Sequence, residues 1–410
     1  MRRVVITGMG AITPVGKDVG SYWAGLTQGV CGVGPITRFD TTDFKAKLAA
    51  QVKDFCPEAH GIEKGDARRM DLFAQYALAA AIEAARDSGI VGTVEPERLG
   101  VYVGSGIGGM QTFIDEHDKL LKRGPSRVSP LYIPMMIGNI ASGNIAIRFH
   151  AQGPSLPVVT ACATSTNEVG EAFRAIRYGY ADAILAGGGE AAINPLAVAG
   201  FSNCKALTEA TDPMAASLPF DARRAGFVMG EGAGVMVLEE MERAMARGAH
   251  IYAEVVGYGN TCDAYHITAP DPEAEGGARA ISLAVAEAGG IVGDLYINAH
   301  GTGTQLNDSS ETHAIKAALG EAAARAARIS STKSMTGHML GAAGVAELIA
   351  SAKALETGIL PPTINLVSPD PACDLNYLAG TAVAHRCETA LSISLGFGGH
   401  NAAVALRRFQ

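Results

Sequence analysis

Short β-branched runs alternate with Ala-rich helical stretches along the whole chain, and that alternation is the strongest constraint on what it folds into. RRVVITG, RLGVYVGSG, ADAILAGGG, AGVMVLEE and LYINAHG read as strands buried on both faces. Between them, residues 69–88, 165–179, 274–288, 309–319 and 341–357 read as helices. The pattern predicts an α/β architecture. The 50 glycines are well above the usual share, which suggests many tight turns or backbone brought close to a ligand.

The pattern also repeats. VVITGMG and AEVVGYG both run from an apolar strand into glycines. VVTACATSTNEVGEAF and ISSTKSMTGHMLGAAGVAEL both run from a small-residue strand through a reactive residue into a helix. AILAGGGEAAINP and LSISLGFGGHNAA are each a strand followed by a glycine cluster. These pairs predict a duplicated molecule, with a boundary near 245–252 that gives halves of 1–249 and 250–410. The competing reading is chance similarity among Gly/Ala-rich strand ends.

Composition excludes several classes. Hydrophobic residues make up 48% and charged ones 18%, enough for a large core and against global disorder. A net charge of −8 argues against a general nucleic-acid binder. No run approaches the ~18–20 apolar residues of a membrane span. The basic, apolar start is broken at Thr7, Gly8 and Gly10 before a signal-peptide core forms, so it reads as a first strand. Seven scattered cysteines without a CxxC pair suggest a reducing compartment and a cytoplasmic protein.

Three reactive side chains sit among small residues. SLPVVTA before Cys162 reads as a buried strand and ATSTNEVGEAFRAIRYG after it as a helix. A thiol on that corner lies at a helix N-terminus, where unsatisfied N–H groups favour a thiolate and bind a developing oxyanion. The alternative is a small Cys filling space between Ala161 and Ala163. His300 leads from the strand LYINA into GTGT, and His338 stands just ahead of LGAAGVAELIASAKAL. Neither has the spacing of a metal pair. A neutral imidazole donates to a carbonyl oxygen or takes a proton near neutral pH. A helix beginning near Asn307 would put Asp308 and Glu311 on one face, where Lys333 pairing with them would brace the histidine loops. GSGIGG at 104–109 matches a dinucleotide-binding string, but the helical, charged stretch that follows argues against NAD. It reads instead as a glycine turn with Ile107 pointing into a pocket.

Taken in order, RRVVITGMGAITPVG, GSGIGG, GPSLPVVTACATS, FDARRAGFVMGEGAGVMVLEE, CDAYHITAP, NAHGTGT, STKSMTGHMLGAAG and GFGGHN resemble the β-ketoacyl-acyl-carrier-protein synthases, above all the type II branch of bacterial fatty-acid elongation. The resemblance spans nearly the whole chain. It implies a thiolase-like, five-layered α-β-α-β-α fold of two pseudo-symmetric halves, assembled as a homodimer. It makes Cys162 the nucleophile that takes an acyl group from phosphopantetheine, with His300 and His338 supporting decarboxylation of a malonyl thioester. It assigns the oxyanion hole to the N–H groups of Cys162 and Phe397, and has Lys333 orient the site through Glu311. Phe397 becomes a gate, and Ile107, Thr302, Thr304 and Gly398 become substrate contacts. Tyr132, Ile133 and Met135 match a dimer-contact segment lining the pocket.

The resemblance implies no cofactor. Phosphopantetheine arrives on the carrier protein, and some members hold a structural monovalent cation near residues matching Asn298, Glu311 and Glu347. It makes acyl carrier protein the partner, met by Lys64, Arg68, Arg69, Arg127 and Lys205. It also leaves a polyketide ketosynthase of the same mechanism as the alternative. GTGTQLND replaces the commoner GTSTPxGD, so Gly303, Gln305 and Asn307 depart from the pattern.

Overall fold

The computed structural model describes residues 1–409. Nine strands form its main sheet: β1 (Val4–Ile12), β2 (Leu99–Gly104), β3 (Ala183–Glu190), β4 (Gly232–Glu240), β5 (Ala253–Cys262), β6 (Leu295–Asn298), β7 (Arg328–Ser330), β8 (Thr389–Gly396) and β9 (His400–Arg408). Their order is β2-β3-β4-β1-β5-β9-β8-β6-β7. The duplication anticipated from the motifs is written into that order. Outward from the central β1–β5 pair, β4 answers β9, β3 answers β8 and β2 answers β6. The directions agree as well. β1–β4 and β5–β9 are antiparallel, as are β3–β4 and β8–β9, while β2–β3 and β6–β8 are parallel.

Five helices position the site: α1 (Leu72–Ser88), α2 (Thr164–Arg177), α3 (Glu275–Glu287), α4 (Gln305–Leu319) and α5 (Ala343–Thr357). α2 touches both β3 and β9, and α5 touches both β8 and β4, so this helical pair lies between the two halves. α1 covers the outer face of β1, β3 and β4, and α3 covers that of β5 and β9. Strand residues therefore face apolar neighbours on both sides, as their unbroken hydrophobic runs require. In β4, Met236 and Leu238 join the central core while Val235 and Val237 join the outer one under α1. In β8 and β9, Leu391, Ile393 and Ala403 face α3 and α4, and Val404 and Leu406 face the centre. The result is the thiolase-like succession of helical and sheet layers.

Two central glycines let the layers meet. A Cβ on Gly344 of α5 would come within 1.9 Å of Thr166 Oγ1 on α2, and one on Gly170 within 2.3 Å of the Tyr258 ring.

Three local expectations are corrected. SLPVVTA is not a strand. One bridge joins Ser155 to Val101, and then the chain leaves the sheet, with Leu156 and Val159 exposed. By the pseudo-symmetry this segment occupies the place beside β2 that β7 fills beside β6. Among the described residues, no strand pairs with it on its outer side. The helix carrying Asp308 and Glu311 begins at Gln305 rather than near Asn307, because Thr304 is already in the extended N-cap conformation. The first long helix begins at Leu72 rather than 69, where the Asp71 side chain caps Phe73 N–H. Residues 249 and 250 fall between the short helix Met241–Ala246 and β5.

Candidate active site

Cys162 stands in a single 3-10 turn, Ala161–Ala163, that leads directly into α2. Its predecessor Ala161 has φ +50°, a left-handed conformation costing an L-residue roughly 1–2 kcal/mol. The turn is held by side chains. Thr160 N–H donates to Thr164 Oγ1 (3.0 Å), Asn167 Nδ2 to Thr160 Oγ1 (2.7 Å), and Tyr258 O–H to Asn167 Oδ1 (2.7 Å). The second half repeats the device. Leu340, two residues after His338, has φ +49°, and the 3-10 turn Leu340–Ala342 leads into α5.

His338 is fixed by its backbone. Its N–H donates to Val228 O (2.7 Å) and its carbonyl accepts from Gly230 N–H (2.8 Å). His300 follows β6, and its N–H and that of Gly301 donate to the two oxygens of the Glu311 carboxylate at 2.6 and 2.8 Å. The two rings lie 5.2 Å apart and perpendicular, and Phe227 packs edge-on against His338 at 5.1 Å. Both Nδ1 atoms are buried without a partner. Cys162, His300 and His338 line one cavity of about 360 Å³, together with Phe397, Thr302 and Thr304. Residues nearly 140 and 180 positions apart thus converge, as the sequence pattern required. The threonine hydroxyls at its wall are 3.1 Å from each other.

Burial sets the protonation states. It pushes both imidazoles well below their ordinary value, with the Lys333 charge acting the same way and His338 adding to the effect on His300. Both rings are neutral at neutral pH. Burial also pushes the Cys162 thiol up to about 11, against the pull of Lys333 and of the Phe397 and Cys162 N–H groups. The expected resting thiolate is corrected on that ground, since the helix terminus does not outweigh desolvation. The same two N–H groups nonetheless lie where they stabilise sulfur's charge as it forms.

Lys333 does not reach Glu311. Its Nζ pairs with Glu347 of α5, and its carbonyl accepts from Ser217 Oγ (2.7 Å). The sequence-based brace therefore has the wrong carboxylate. Glu311 is committed to the His300 loop, and Glu347 was visible only as a suggested cation ligand. Asp308 supports the same loop by accepting from Phe220 N–H (2.8 Å) and Gly303 N–H (3.2 Å).

For a monovalent cation, Asn298 Oδ1 and Glu347 Oε2 are buried and unpartnered, whereas both Glu311 oxygens already accept backbone N–H groups. Two of the three residues named for it thus offer a free oxygen.

Two further expectations are corrected. Ile107 does not line the cavity. It is 40% exposed, and its N–H, with that of Gly106, is held by Glu190. This also fixes GSGIGG as a buried-carboxylate turn. Gly398 does not line the cavity either, but donates its N–H to Ile267 O (2.8 Å), tying the Phe397 turn to the 263–271 loop. Lys64, Arg68, Arg69, Arg127 and Lys205 are all exposed, and Lys205 is the one among them that lines the cavity. Sequence reasoning missed Phe201 and Phe227 in its wall, although Phe227 lies inside the conspicuous GFVMGEG block.

A doubled α/β layer structure with a nucleophile turn in one half and its counterpart in the other defines the thiolase-like class. Within that class the chain belongs to the β-ketoacyl synthase family. Residues 1–244 match the family's "Beta-ketoacyl synthase, N-terminal domain" and residues 252–367 its "Beta-ketoacyl synthase, C-terminal domain". The chain is 50% identical to proteins named 3-oxoacyl-[acyl-carrier-protein] synthase 2 from Synechocystis sp. and Staphylococcus aureus, over 100% of this chain and 99% of each relative. Among solved structures, the ishigamide ketosynthase/chain length factor superposes with a TM-score of 0.93 at 38% identity, over the full length of both chains. A type II polyketide ketosynthase bound to its hexaketide, in complex with its acyl-carrier protein, does so at 0.90 and 33%, again over both full lengths.

Proposed function

We propose that this chain is a 3-oxoacyl-acyl-carrier-protein synthase of type II, an acyltransferase that lengthens fatty acyl chains by decarboxylative condensation. The observation that carries the reading is the meeting of Cys162, His300 and His338 in one cavity, in a chain half identical over its full length to relatives bearing that name. Cys162 Sγ attacks the thioester carbonyl of acyl carrier protein, and the thiol proton leaves with the departing pantetheine thiol, so no net base is consumed. Malonyl-carrier protein then binds with its thioester carbonyl oxygen against the N–H groups of neutral His300 and His338. Breaking the bond to the carboxylate releases carbon dioxide and leaves an enolate, whose oxygen charge those two donors stabilise. The enolate carbon attacks the acyl-Cys162 carbonyl. The N–H groups of Cys162 and Phe397 hold the oxyanion, and collapse expels the Cys162 thiolate, which takes up one proton.

Lys333, locked to Glu347, fixes the electrostatics of the thiol and both rings and enters no bond change. Thr302 and Thr304 hydrogen-bond the pantetheine arm. The chemistry calls for hydrogen-bond donors and a dry pocket, and no redox cofactor takes part. A monovalent cation at Asn298 and Glu347 would be structural.

The carrier protein is the macromolecular partner, met at the cavity mouth by Lys205 and the other exposed basic residues. A homodimer is supported by the exposed apolar Ile133, Leu156 and Val159. A cytoplasmic setting is supported by seven cysteines that are all free. The polyketide reading has its own support in the two structural neighbours, and assays with saturated acyl chains on a carrier protein separate the two.

Mass spectrometry after treatment with acyl-carrier protein tests the reading. Wild type gains the acyl mass and Cys162→Ala does not. His300→Ala and His338→Ala still acylate but release no carbon dioxide from malonyl-carrier protein. Acylation that survives Cys162→Ala would sink the assignment.

A further inference from the structure

Arg224 is a buried cation that the condensation chemistry does not use, 5% exposed beneath the cavity wall. Its guanidinium makes four hydrogen bonds. Nε donates to Thr304 O (3.0 Å), Nη2 to Gln305 O (2.9 Å), and Nη1 to Asp221 O (3.1 Å) and to Asp370 Oδ2 (2.5 Å). Two of these acceptors lie where the loop that carries Thr302 and Thr304 into the cavity passes into α4, Thr304 being its N-cap and Gln305 its first residue. Two residues on, Gly226 N–H donates to Gly303 O (3.1 Å), and the next residue, Phe227, packs its ring on His338. One short stretch, 224–227, therefore sets the threonine loop on one side and a histidine ring on the other.

We infer that Arg224 is a positioning residue for the pantetheine arm: its fork fixes the carbonyls of Thr304 and Gln305, and through them the two threonine hydroxyls at the cavity wall. The inference rests on the reading of the site given above and adds to it a residue that touches neither substrate nor nucleophile. The geometry gives the reason an arginine is needed. Only a planar group with several fixed donors spans two successive carbonyls and a carboxylate at once, whereas an ammonium on a flexible stem keeps the charge but not the fork. Loss of the fork leaves charge balance with Asp370 intact and frees the loop carbonyls. The expected effect falls on binding of the arm rather than on the thiol.

The test is Arg224→Lys, assayed for Cys162 acylation by a fatty acyl-pantetheine thioester and, separately, for Cys162 alkylation by iodoacetamide, which has no arm to bind. We expect KM for the thioester to rise about tenfold, a loss typical of one or two charge-assisted hydrogen bonds. The maximal acylation rate should stay within about threefold and the alkylation rate within about twofold, since neither depends on those bonds. Adding Arg224→Lys to Thr302→Val/Thr304→Val should raise KM no further than that pair of substitutions alone, because the arginine acts through those two hydroxyls. A purely structural role predicts instead a lowered melting temperature with KM unchanged, and that result overturns the inference. Should Arg224→Lys not fold, Asp370→Ala carries the test, since it removes the side-chain oxygen that anchors the fork and leaves the arginine in place. An unchanged KM there overturns it too. If wild type fails to acylate at all while still alkylating, the proposed function falls, and the two failures are thereby told apart.

Discussion

Neutral imidazoles next to a lysine carry a signature in pH that an exposed histidine lacks. His300 and His338 are 2% exposed and held well below the usual value of about 6.5, so the unfolded chain takes up protons below pH ~6.5 that the folded chain refuses. Stability from this source is complete above that pH and is lost as pH falls, at up to about 1.4 kcal/mol per pH unit for each ring. Glu311 and Glu347 act in the opposite sense. Burial pushes both up to about 7, so between their unfolded value of about 4.5 and pH 7 the folded state binds the extra protons and gains as pH falls. The four groups offset one another, which hides the histidine effect in wild type. Denaturant melts of wild type against His300→Asn/His338→Asn from pH 7 to 5 should expose it. The variant should gain relative to wild type as pH drops, by up to about 2.7 kcal/mol per unit once below pH 6. A difference that stays flat with pH would mean that the rings take up protons as readily in the folded state as in the unfolded chain. The identities of these residues were legible in the sequence, each framed by small neighbours. Their protonation was not. The expected Cys162 thiolate followed from the helix terminus alone, and desolvation, which depends on every atom packed around the sulfur, reversed it.

At the level of elements, the paired turns before α2 and α5 work because those helices touch along their backbones. Gly344 makes that contact possible, and a methyl there meets Thr166 Oγ1, itself hydrogen-bonded to Ser394 Oγ at 2.7 Å. Gly344→Ala should destabilise the fold by about 1–3 kcal/mol in chemical denaturation, the usual result of overpacking a core. It should also lower acylation by displacing the Cys162 turn. Stability within about 0.5 kcal/mol of wild type would show that the helices separate freely. Most elements were readable from periodicity, because strands buried on both faces and Ala-rich helices differ in length and in β-branching. Residues 155–160 were not. Their sequence is strand-like, yet a ladder needs a partner, and periodicity carries no information about where the partner is.

That unpaired segment matters for the whole molecule. Leu156 and Val159 are 55% and 59% exposed beside the sheet edge at β2, and Ile133 is 54% exposed. An apolar segment at an open edge is a template for a second chain, which is why natural proteins cover or charge such places. We expect a dimer through this surface in sedimentation velocity at micromolar concentration, and a monomer for Val159→Arg. Because the segment runs straight into the Cys162 turn, the monomer should also lose condensation activity. A Val159→Arg variant that sediments like wild type would exclude this surface as the interface.

Local order settled much in advance: the alternation of elements, the duplicated motifs, and a thiol and two imidazoles each placed at the mouth of a helix or loop are properties of neighbouring residues, and neighbours are what a sequence records. The partner of Lys333, the ionisation of Cys162, the withdrawal of Ile107 and Gly398 from the cavity and the fork of Arg224 were decided only by folding. Each depends on distances between segments remote in the chain, and on how much water their meeting excludes.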